Sequence, residues 1–290
     1  MTGVPAFFAD YHGAVDAEIR RTVSPAADEA DPVTRSMGYT VHAPSKRVRA
    51  VLVLLSAELC GGAVRRAVPA AAVVELIHAS SLILDDLPSM DDAPLRRGRP
   101  ANHLEFGEAI AILAAFGLLN LAFGKLAREY EPPVAAQLAV LMSEAVGTDG
   151  LIGGQAADLL GSDQPISFDV LERIHRGKTG ALFGAAATAG AVTAGAGTDA
   201  IGALSAFAKN LGLAFQIVDD LLDVEGTVAE TGKAIRADAR KTTFVSFSGV
   251  AGARQLAAEL CDTANLALTP FGKRADRLRE LSAFVAERRL

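Results

Sequence analysis

The segment Ala79–His103 reads ASSLILDDLPSMDDAPLRRGRPANH, an apolar run that leads into paired acids and then into arginines. The charged positions after the apolar run are Asp85, Asp86, Asp91, Asp92, Arg96, Arg97 and Arg99. Carboxylates this close repel one another, and Mg²⁺, which prefers oxygen ligands and bridges carboxylates to phosphates, would neutralise them. Arginine forks match phosphate oxygens. The segment therefore predicts a diphosphate held through bridging magnesium, and the alternative is a solvated polar loop after a core helix.

A second acidic cluster follows another apolar run far downstream, in LAFQIVDDLLDVEG. Asp219 and Asp223 are four residues apart, so an α-helix places them on one face, about one turn apart. Asp220 lies between them. The acidic end of an amphipathic helix would explain one such cluster. Two clusters with the same order of residues favour a shared metal site.

Apolar residues recur at helical spacing through most of the chain, and strand signals are nearly absent. The sequence therefore predicts an all-α protein. No linker or repeat divides the pattern, so residues 1–290 are read as a single domain. The predicted helices cover residues 5–22, 45–60, 68–86, part of 104–130, 134–160, 167–175, 178–195, 200–223, 241–264 and 274–288. A polar loop is predicted between the first helix and Pro44.

Composition narrows the class of protein. Half of the residues are apolar and the net charge is −6, which argues against global disorder and against a basic nucleic-acid surface. The N-terminus lacks a signal-peptide pattern, and polar residues are expected to interrupt the apolar stretches before the roughly 18 residues that a membrane span needs. Cys60 and Cys261 are expected to be buried, reduced thiols. These features predict a cytoplasmic protein without stable membrane insertion.

The motifs together resemble those of the trans-isoprenyl diphosphate synthases (polyprenyl synthetases), most of all the bacterial geranylgeranyl diphosphate synthases of carotenoid pathways. DDLPSMD (85–91) is similar to the family's first aspartate-rich motif, LRRGRP (95–100) follows it, and FQIVDDLLD (215–223) resembles the second motif. The resemblance implies an isoprenoid-synthase-type helical bundle around a central substrate cavity, three Mg²⁺ ions per active site and a homodimer. It also implies condensation of isopentenyl diphosphate with allylic prenyl diphosphates.

The resemblance also assigns roles to individual residues. The metal ligands would be Asp85, Asp86, Asp91, Asp219, Asp220 and Asp223. The residues that bind isopentenyl diphosphate would be Lys46 and Arg49 of SKRVR, His78 and Arg97. Those that face the allylic substrate would be Arg96, Gln155, Lys178, Thr179, Gln216, Lys233 and Lys241. The chain departs from the family at Pro44-Ser45, where Gly-Gly is usual, and at Arg240, where a glycine is usual.

Product length depends on side chains just before the first motif. Ser80 and Ser81 lie a little over one helical turn before Asp85, beside the expected path of the growing prenyl tail. In the family, bulky aromatic residues here stop growth at farnesyl diphosphate. Two serines therefore predict geranylgeranyl diphosphate as the product, with farnesyl diphosphate as the alternative. Phe116 or Leu119 would close the pocket more deeply.

Two other functions are compatible with parts of the pattern. A class I terpene cyclase also ionises diphosphates with aspartates and magnesium, but its pocket surrounds cations with aromatic faces. This chain has no Trp and only three Tyr. A non-catalytic subunit of a synthase would lose its aspartate clusters, whereas both are present here. The sequence therefore favours a prenyltransferase.

Overall fold

The structure is a computed structural model that describes residues 5, 7–24, 31–161, 165–225 and 242–287. Within these ranges the regular structure is helical apart from one short hairpin, which confirms the predicted all-α class. The α-helices are α1 (Phe8–Thr22), α2 (Pro32–Val41), α3 (Val48–Leu59), α4 (Val64–Asp85), α5 (Asn102–Phe106), α6 (Glu108–Glu129), α7 (Pro132–Val146), α8 (Leu151–Gly161), α9 (Phe168–His175), α10 (Ala181–Thr193), α11 (Thr198–Glu225), α12 (Phe244–Ala267) and α13 (Asp276–Glu287). The other elements are a π-helix (Arg176–Gly180), a 3₁₀ helix (Thr269–Ala275) and the antiparallel strands β1 (Leu95–Arg96) and β2 (Arg99–Pro100).

Three helices rich in small and branched apolar residues, α3, α4 and α10, form the centre of the larger core. In α3 all five residues from Ala50 to Leu54 are 0 % exposed. α10 approaches α3 closely, because a Cβ atom on Gly190 would lie 2.1 Å from the carbonyl oxygen of Val53. α6 packs against α4, and α11 packs against α10. This packing fixes the position of α4, whose last residue is Asp85.

A smaller apolar core supports the second acidic cluster. It joins the C-terminal half of α11 to α9 and α12 through Leu171, Ile217, Leu221 and Phe244. Because one face of α11 is buried against this core, Asp219 and Asp223 lie on more accessible parts of the helix surface. The second motif is thus held on a rigid element.

The polar loop predicted before Pro44 is wrong in part, since it contains α2. The carboxylate of Asp31 accepts hydrogen bonds from the amides of Val33 and Thr34, at 2.9 and 3.0 Å. Pro32 occupies the first helical position, where its missing amide costs nothing. An Asp-Pro pair at a helix start is a signal that the sequence does contain.

The single helix predicted over 134–160 is also wrong in part. The chain forms α7 and α8, separated by a turn between Val146 and Leu151 that contains Gly147 and Gly150. The break changes the direction of the chain before the GGQAADL segment.

In the part of the chain that the structure describes, three helices, α4, α6 and α11, are long and apolar enough to cross a membrane by length and composition alone. The expectation that no stretch is long and apolar enough for a membrane span is therefore wrong, although polar residues such as Glu75 and His78 do occur within α4. In α4 the high hydropathy has a packing explanation, since 67 % of its most apolar window is buried inside the bundle, whereas 50 % is buried in α11 and 39 % in α6. Cys60 is partly buried and Cys261 is buried, and both are free thiols, in line with the prediction.

Candidate active site

The first acidic motif forms a tight loop at the end of α4. The amide of Asp91 donates a hydrogen bond to the carbonyl oxygen of Asp85 at 2.9 Å, and the amide of Ala93 donates to the carbonyl oxygen of Asp86 at 3.2 Å. These bonds fold the intervening residues into a turn and return the chain at Asp91 to the end of the helix. The spacing of the motif therefore brings its first and last acids close together.

The surroundings of Asp85 disfavour the ionised form of its carboxyl group. Burial raises its pKa to about 6, and the negative charges of Asp91 and Asp86 act in the same direction. The positive charges of Lys178 and Arg96 oppose this shift. A carboxylate in these surroundings would be stabilised by a bound cation.

Asp86 differs from Asp85 because it is only 1 % exposed and is fully paired with Arg96. The Nε atom of Arg96 donates to both carboxylate oxygens of Asp86 at 3.0 Å, and its Nη2 atom also donates to Oδ1. Such a fork fixes both side chains. The structure therefore favours a supporting role for Asp86 rather than the predicted role of metal ligand.

The arginines of LRRGRP lie on the hairpin formed by β1 and β2. The two turn residues, Arg97 and Gly98, have φ angles of 54° and 73°, as a two-residue type I′ turn requires. Arg97 is directed towards the loop before α3, where its Nη1 atom donates to the carbonyl oxygen of Ala43 at 3.5 Å. Burial lowers the pKa of Arg97 to about 10, so it stays charged at neutral pH. Arg99 stacks on the ring of Tyr39 at 3.8 Å.

The π-helix carries Lys178 and Thr179. α8 lies directly against it, because a Cβ atom on Gly154 would come within 2.2 Å of the amide nitrogen of Lys178. The ammonium group of Lys178 is 2.7 Å from a carboxylate oxygen of Asp158 on α8, and its charge also acts on Asp85. π-Helical turns often occur at functional sites. Here the π-helix places a lysine between two acidic elements.

A chain of hydrogen bonds connects the π-helix to the second acidic motif. The hydroxyl of Thr179 donates to Oε1 of Gln216, and Nε2 of Gln216 donates to Oδ1 of Asp220, both at 3.0 Å. The amide of Phe244 donates to Oδ2 of Asp220 at 3.1 Å. Asp220 is 5 % exposed and both its oxygens are engaged, so its geometry also favours support over the predicted metal ligation.

Arg49 and His78 meet in a basic cluster between α3 and α4. The Nη1 atom of Arg49 donates to Nε2 of His78 at 3.4 Å, and its guanidinium lies 4.6 Å from the ring centre of Phe183 and 5.8 Å from that of Phe215. Because arginine can only donate, Nε2 of His78 must accept, and the proton of the neutral ring is on Nδ1. Burial, followed by the charges of Arg49 and Arg97, holds the pKa of His78 well below its usual range. His78 is therefore neutral at pH 7.

Lys46 lies two residues before α3 begins, in the loop that leads to Arg49. Its ammonium group is 5.7 Å from the centre of the Phe284 ring on α13. The predicted binding residues Lys46, Arg49, His78 and Arg97 thus occupy the loop before α3, the first turn of α3, α4 and the hairpin.

The acidic residues fit magnesium held jointly with a ligand. Within the described residues no group of three or more His, Cys, Asp or Glu could hold a metal unaided. Magnesium usually takes one or two carboxylates together with substrate phosphates and water. Asp85, Asp91, Asp219 and Asp223 keep accessible surface and would serve as such ligands.

The two serines before the first motif point in different directions. Ser80 is buried, and its hydroxyl donates to the carbonyl oxygen of Ala115 on α6 at 2.8 Å. Ser81 is four residues before Asp85 and is partly exposed on the same face of α4. Phe116 is 61 % exposed on the surface of α6, so the expectation that it closes the pocket within one chain is wrong. Leu119 is partly buried against the core.

The predicted site also includes Lys233, Lys241 and Gln155. Lys233, Arg240 and Lys241 fall outside the described residues. Gln155 is buried on α8, and its amide nitrogen lies 3.8 Å from the sulfur of Met90 in the first acidic loop.

The sequence did not predict two contacts that shape the site. The pairing of Lys178 with Asp158 and the seating of Arg49 on Phe183 both join residues from different helices. Spacing within one helix carries no signal for such contacts. Only the GGQAADL segment, with its close-packing Gly154, hints at the first of them.

Comparison with known proteins agrees with this geometry. The polyprenyl synthetase family model matches residues 30–262. The chain is 40 % identical to the farnesyl diphosphate synthase of Escherichia coli over 280 residues, which cover 93 % of this chain and 94 % of that one. It is 39 % identical to the geranylgeranyl diphosphate synthase of Cyanophora paradoxa over 259 residues, which cover 87 % and 86 %. A crystal structure of a geranyltransferase from Helicobacter pylori, complexed with magnesium and isoprenyl diphosphate, superposes with a TM-score of 0.80 at 26 % identity and covers 99 % of this chain and 95 % of that one.

The all-α bundle and these matches define a prenyltransferase of the isoprenyl synthase type. The chain belongs to the polyprenyl synthetase family.

Proposed function

We propose that the protein condenses isopentenyl diphosphate head-to-tail with dimethylallyl, geranyl and farnesyl diphosphates to give geranylgeranyl diphosphate. The observation that carries the proposal is the link between the two acidic motifs. Lys178 acts electrostatically on Asp85, while its neighbour Thr179 bonds through Gln216 to the second motif. One diphosphate held between these motifs would contact both aspartate clusters and the lysine.

The basic residues divide into two groups, which supports two diphosphate sites. Arg96 and Lys178 lie beside the acidic motifs and would contact the allylic diphosphate. The cluster of Lys46, Arg49 and His78, together with Arg97, would bind isopentenyl diphosphate. His78 is neutral and so adds a polar contact without charge.

The first chemical step is the ionisation of the allylic substrate. Its C1–O bond breaks when the charge of the departing pyrophosphate is neutralised. Magnesium supplies Lewis-acid neutralisation when bound, with three ions expected, and Asp85, Asp91 and Asp219 would hold it. Arg96 and Lys178 add hydrogen-bond donors towards the same oxygens. The hydroxyl of Thr179, fixed by Gln216, places an oxygen dipole near the developing allylic cation.

The second step forms the new carbon–carbon bond. The double bond of isopentenyl diphosphate attacks C1 of the allylic cation. C2 of the isopentenyl unit then loses a proton to the released pyrophosphate. The basic cluster positions the attacking substrate by its diphosphate. The overall reaction yields a prenyl chain one isoprene unit longer and pyrophosphate.

The test of this function is label transfer. Purified protein should convert radiolabelled isopentenyl diphosphate and an allylic primer into a longer labelled prenyl diphosphate. Treatment with a chelator should stop the reaction, and added Mg²⁺ should restore it. Absence of label in any longer product at saturating Mg²⁺ would refute the proposal.

Lys46→Ala should weaken isopentenyl diphosphate binding by about 1.5–3 kcal/mol, roughly 10- to 150-fold, because a charge-assisted contact is lost. The KM for the allylic primer should stay within about twofold. Lys273→Ala, an exposed lysine on the 3₁₀ helix, is the matched control and should leave both KM values unchanged. An equal loss for both substrates would contradict the two-site division.

The proposal extends to assembly and location. Homodimer formation is supported by exposed apolar side chains on the outer helices, with Leu113 and Phe116 of α6 at 53 % and 61 % exposure and Val140 of α7 at 58 %. A second copy would cover such a surface. We further propose that residues 1–290 form one catalytic domain that works in the cytoplasm without stable insertion into a membrane.

A further inference from the structure

Arg47 lies between the two residues assigned to isopentenyl diphosphate binding, Lys46 and Arg49, and has no role in the proposed reaction. It is only 4 % exposed, so it does not share their accessible surface. Its backbone has φ 50°, a left-handed conformation that is uncommon for residues other than glycine. A residue persists in such a conformation when its surroundings hold it there.

The guanidinium of Arg47 is held from three directions. Its Nε atom donates to a carboxylate oxygen of Asp16 on α1 at 3.0 Å, and its Nη1 atom donates to Glu75 on α4 at 3.2 Å. Its Nη2 atom donates to the carbonyl oxygen of Val41 at 2.5 Å. Five N–H donors in a rigid fork make arginine suited to such a junction, and lysine cannot reproduce it.

The partners of Arg47 are themselves tied to the binding site. Glu75 is 3 % exposed, and its other oxygen accepts a hydrogen bond from the amide of Ala50 at 3.2 Å, in the first turn of α3 next to Arg49. His78 follows Glu75 by three residues on α4. One carboxylate therefore fixes both helices of the basic cluster to each other.

The loop that carries Lys46 is anchored by the same network. The Nε2 atom of His12 on α1 lies 2.7 Å from the carbonyl oxygen of Ser45 and donates to it, while Nδ1 of His12 lies 3.3 Å from Asp16. The amide of Arg47 donates to the hydroxyl of Ser45 at 3.3 Å. The contact with His12 ties the loop that carries Lys46 to α1, and the contact with Ser45 ties Arg47 to the same loop.

We infer that Arg47 is a positioning residue for isopentenyl diphosphate: through Glu75 and Asp16 it holds Lys46, Arg49 and His78 in one arrangement and does not touch the substrate. The inference rests on the proposed function, because it concerns the second substrate of that reaction. It predicts that substitution of Arg47 weakens the binding of isopentenyl diphosphate but not that of the allylic primer, because Arg96 and Lys178 are held by other contacts.

The test compares Arg47→Lys with wild type in steady-state kinetics for both substrates. Arg47→Lys keeps the charge but loses the fork, so the KM for isopentenyl diphosphate should rise about tenfold or more. The KM for the allylic primer and kcat at saturating substrates should stay within about threefold. Arg279→Lys is the control, since Arg279 also bonds a carboxylate and backbone carbonyls but lies on α13, and it should change neither KM.

A double variant separates positioning from direct contact. If Arg47 acts by placing Lys46 and Arg49, its replacement should raise the KM less in the Lys46→Ala background than in wild type. If the fold increases in KM caused by the two substitutions simply multiply in the double variant, the inference is overturned. A folded Arg47→Lys protein with an unchanged KM for isopentenyl diphosphate would also overturn it. A variant that loses kcat and thermal stability without a selective rise in the KM for isopentenyl diphosphate would overturn it too. A wild-type protein that does not condense the substrates at all would instead refute the proposed function.

Discussion

Asp85→Asn should lower the single-turnover rate of condensation by about 10³-fold at saturating Mg²⁺, the scale at which one charge-stabilising group contributes to a transition state. Asp85 ends α4, its pKa is raised by burial and by Asp91 and Asp86, and the positive charge of Lys178 on the π-helix partly offsets this. The change removes charge while preserving shape. Rapid-quench measurement with labelled primer isolates the chemical step from product release.

Asp92→Asn is the matched control for this variant. Asp92 is exposed beside Asp91 and has φ 45°, a conformation that asparagine tolerates well. The condensation rate of Asp92→Asn should stay within about threefold of wild type, because Asp85 and Asp91 are the acids of the first motif that are expected to ligate metal. An Asp85→Asn protein with near-normal turnover would show that the metal assignment is wrong.

In the absence of metal, Asp85→Asn should also be more stable than wild type. The pKa of Asp85 is raised to about 6 in the folded protein, so ionisation of Asp85 opposes folding at neutral pH. Asp85→Asn should therefore raise the Tm above about pH 6, and its advantage should shrink as the pH falls towards 4, where wild-type Asp85 is protonated. Thermal unfolding with a chelator present, at pH 7.5 and at pH 4, measures this difference in Tm between the variant and wild type. A destabilised Asp85→Asn protein at pH 7.5 would contradict the electrostatic account.

Ser81→Phe should change the main product from C20 to C15. Ser81 shares the face of α4 that carries Asp85, about 6 Å further along the helix axis, and its hydroxyl bonds only to its own helix, at the carbonyl oxygen of His78. A phenyl ring at this position would block the path of the growing tail. Primer ionisation should be unaffected, because the acidic motifs are unchanged. Product chain length, measured by chromatography after dephosphorylation, reports the outcome.

Ser80→Phe provides the comparison. The sequence predicts that it shortens the product too, but Ser80 is buried with its hydroxyl bonded to α6. A phenyl ring there would overpack the contact between α4 and α6, at a cost of about 1–3 kcal/mol in stability. We expect a lower Tm and a smaller change in product length than for Ser81→Phe. A folded Ser81→Phe protein that still makes mainly C20 would refute the assignment of the tail path.

The sequence predicted the helical class and the acidic motifs because both are local patterns. Helical periodicity and the order of an apolar run before DD are local to one segment. α4 ends at Asp85, one residue before the predicted end, and the second acidic cluster lies on α11 as predicted. The same reasoning assigned all six motif aspartates as metal ligands. Their differences depend on partners from other elements, since Asp86 pairs with Arg96 and Asp220 with Gln216 and Phe244.

Side-chain direction was the other feature that local patterns could not supply. Ser80 and Ser81 are adjacent, yet helical geometry and the packing of α6 turn one into the core and leave the other beside Asp85. Phe116 was one of two residues, with Leu119, expected to close the pocket, but α6 presents it outwards at 61 % exposure. The neighbours of a helix, which local spacing does not reveal, decide which of its faces lines a cavity.

The most direct test of the central claim is the length of the product. Purified protein should be incubated with radiolabelled isopentenyl diphosphate, Mg²⁺ and, in separate reactions, dimethylallyl, geranyl or farnesyl diphosphate. The account predicts that every primer is extended and that geranylgeranyl diphosphate, C20, is the main product of each reaction. A product that stops at farnesyl diphosphate, with no extension of the C15 primer, would contradict it.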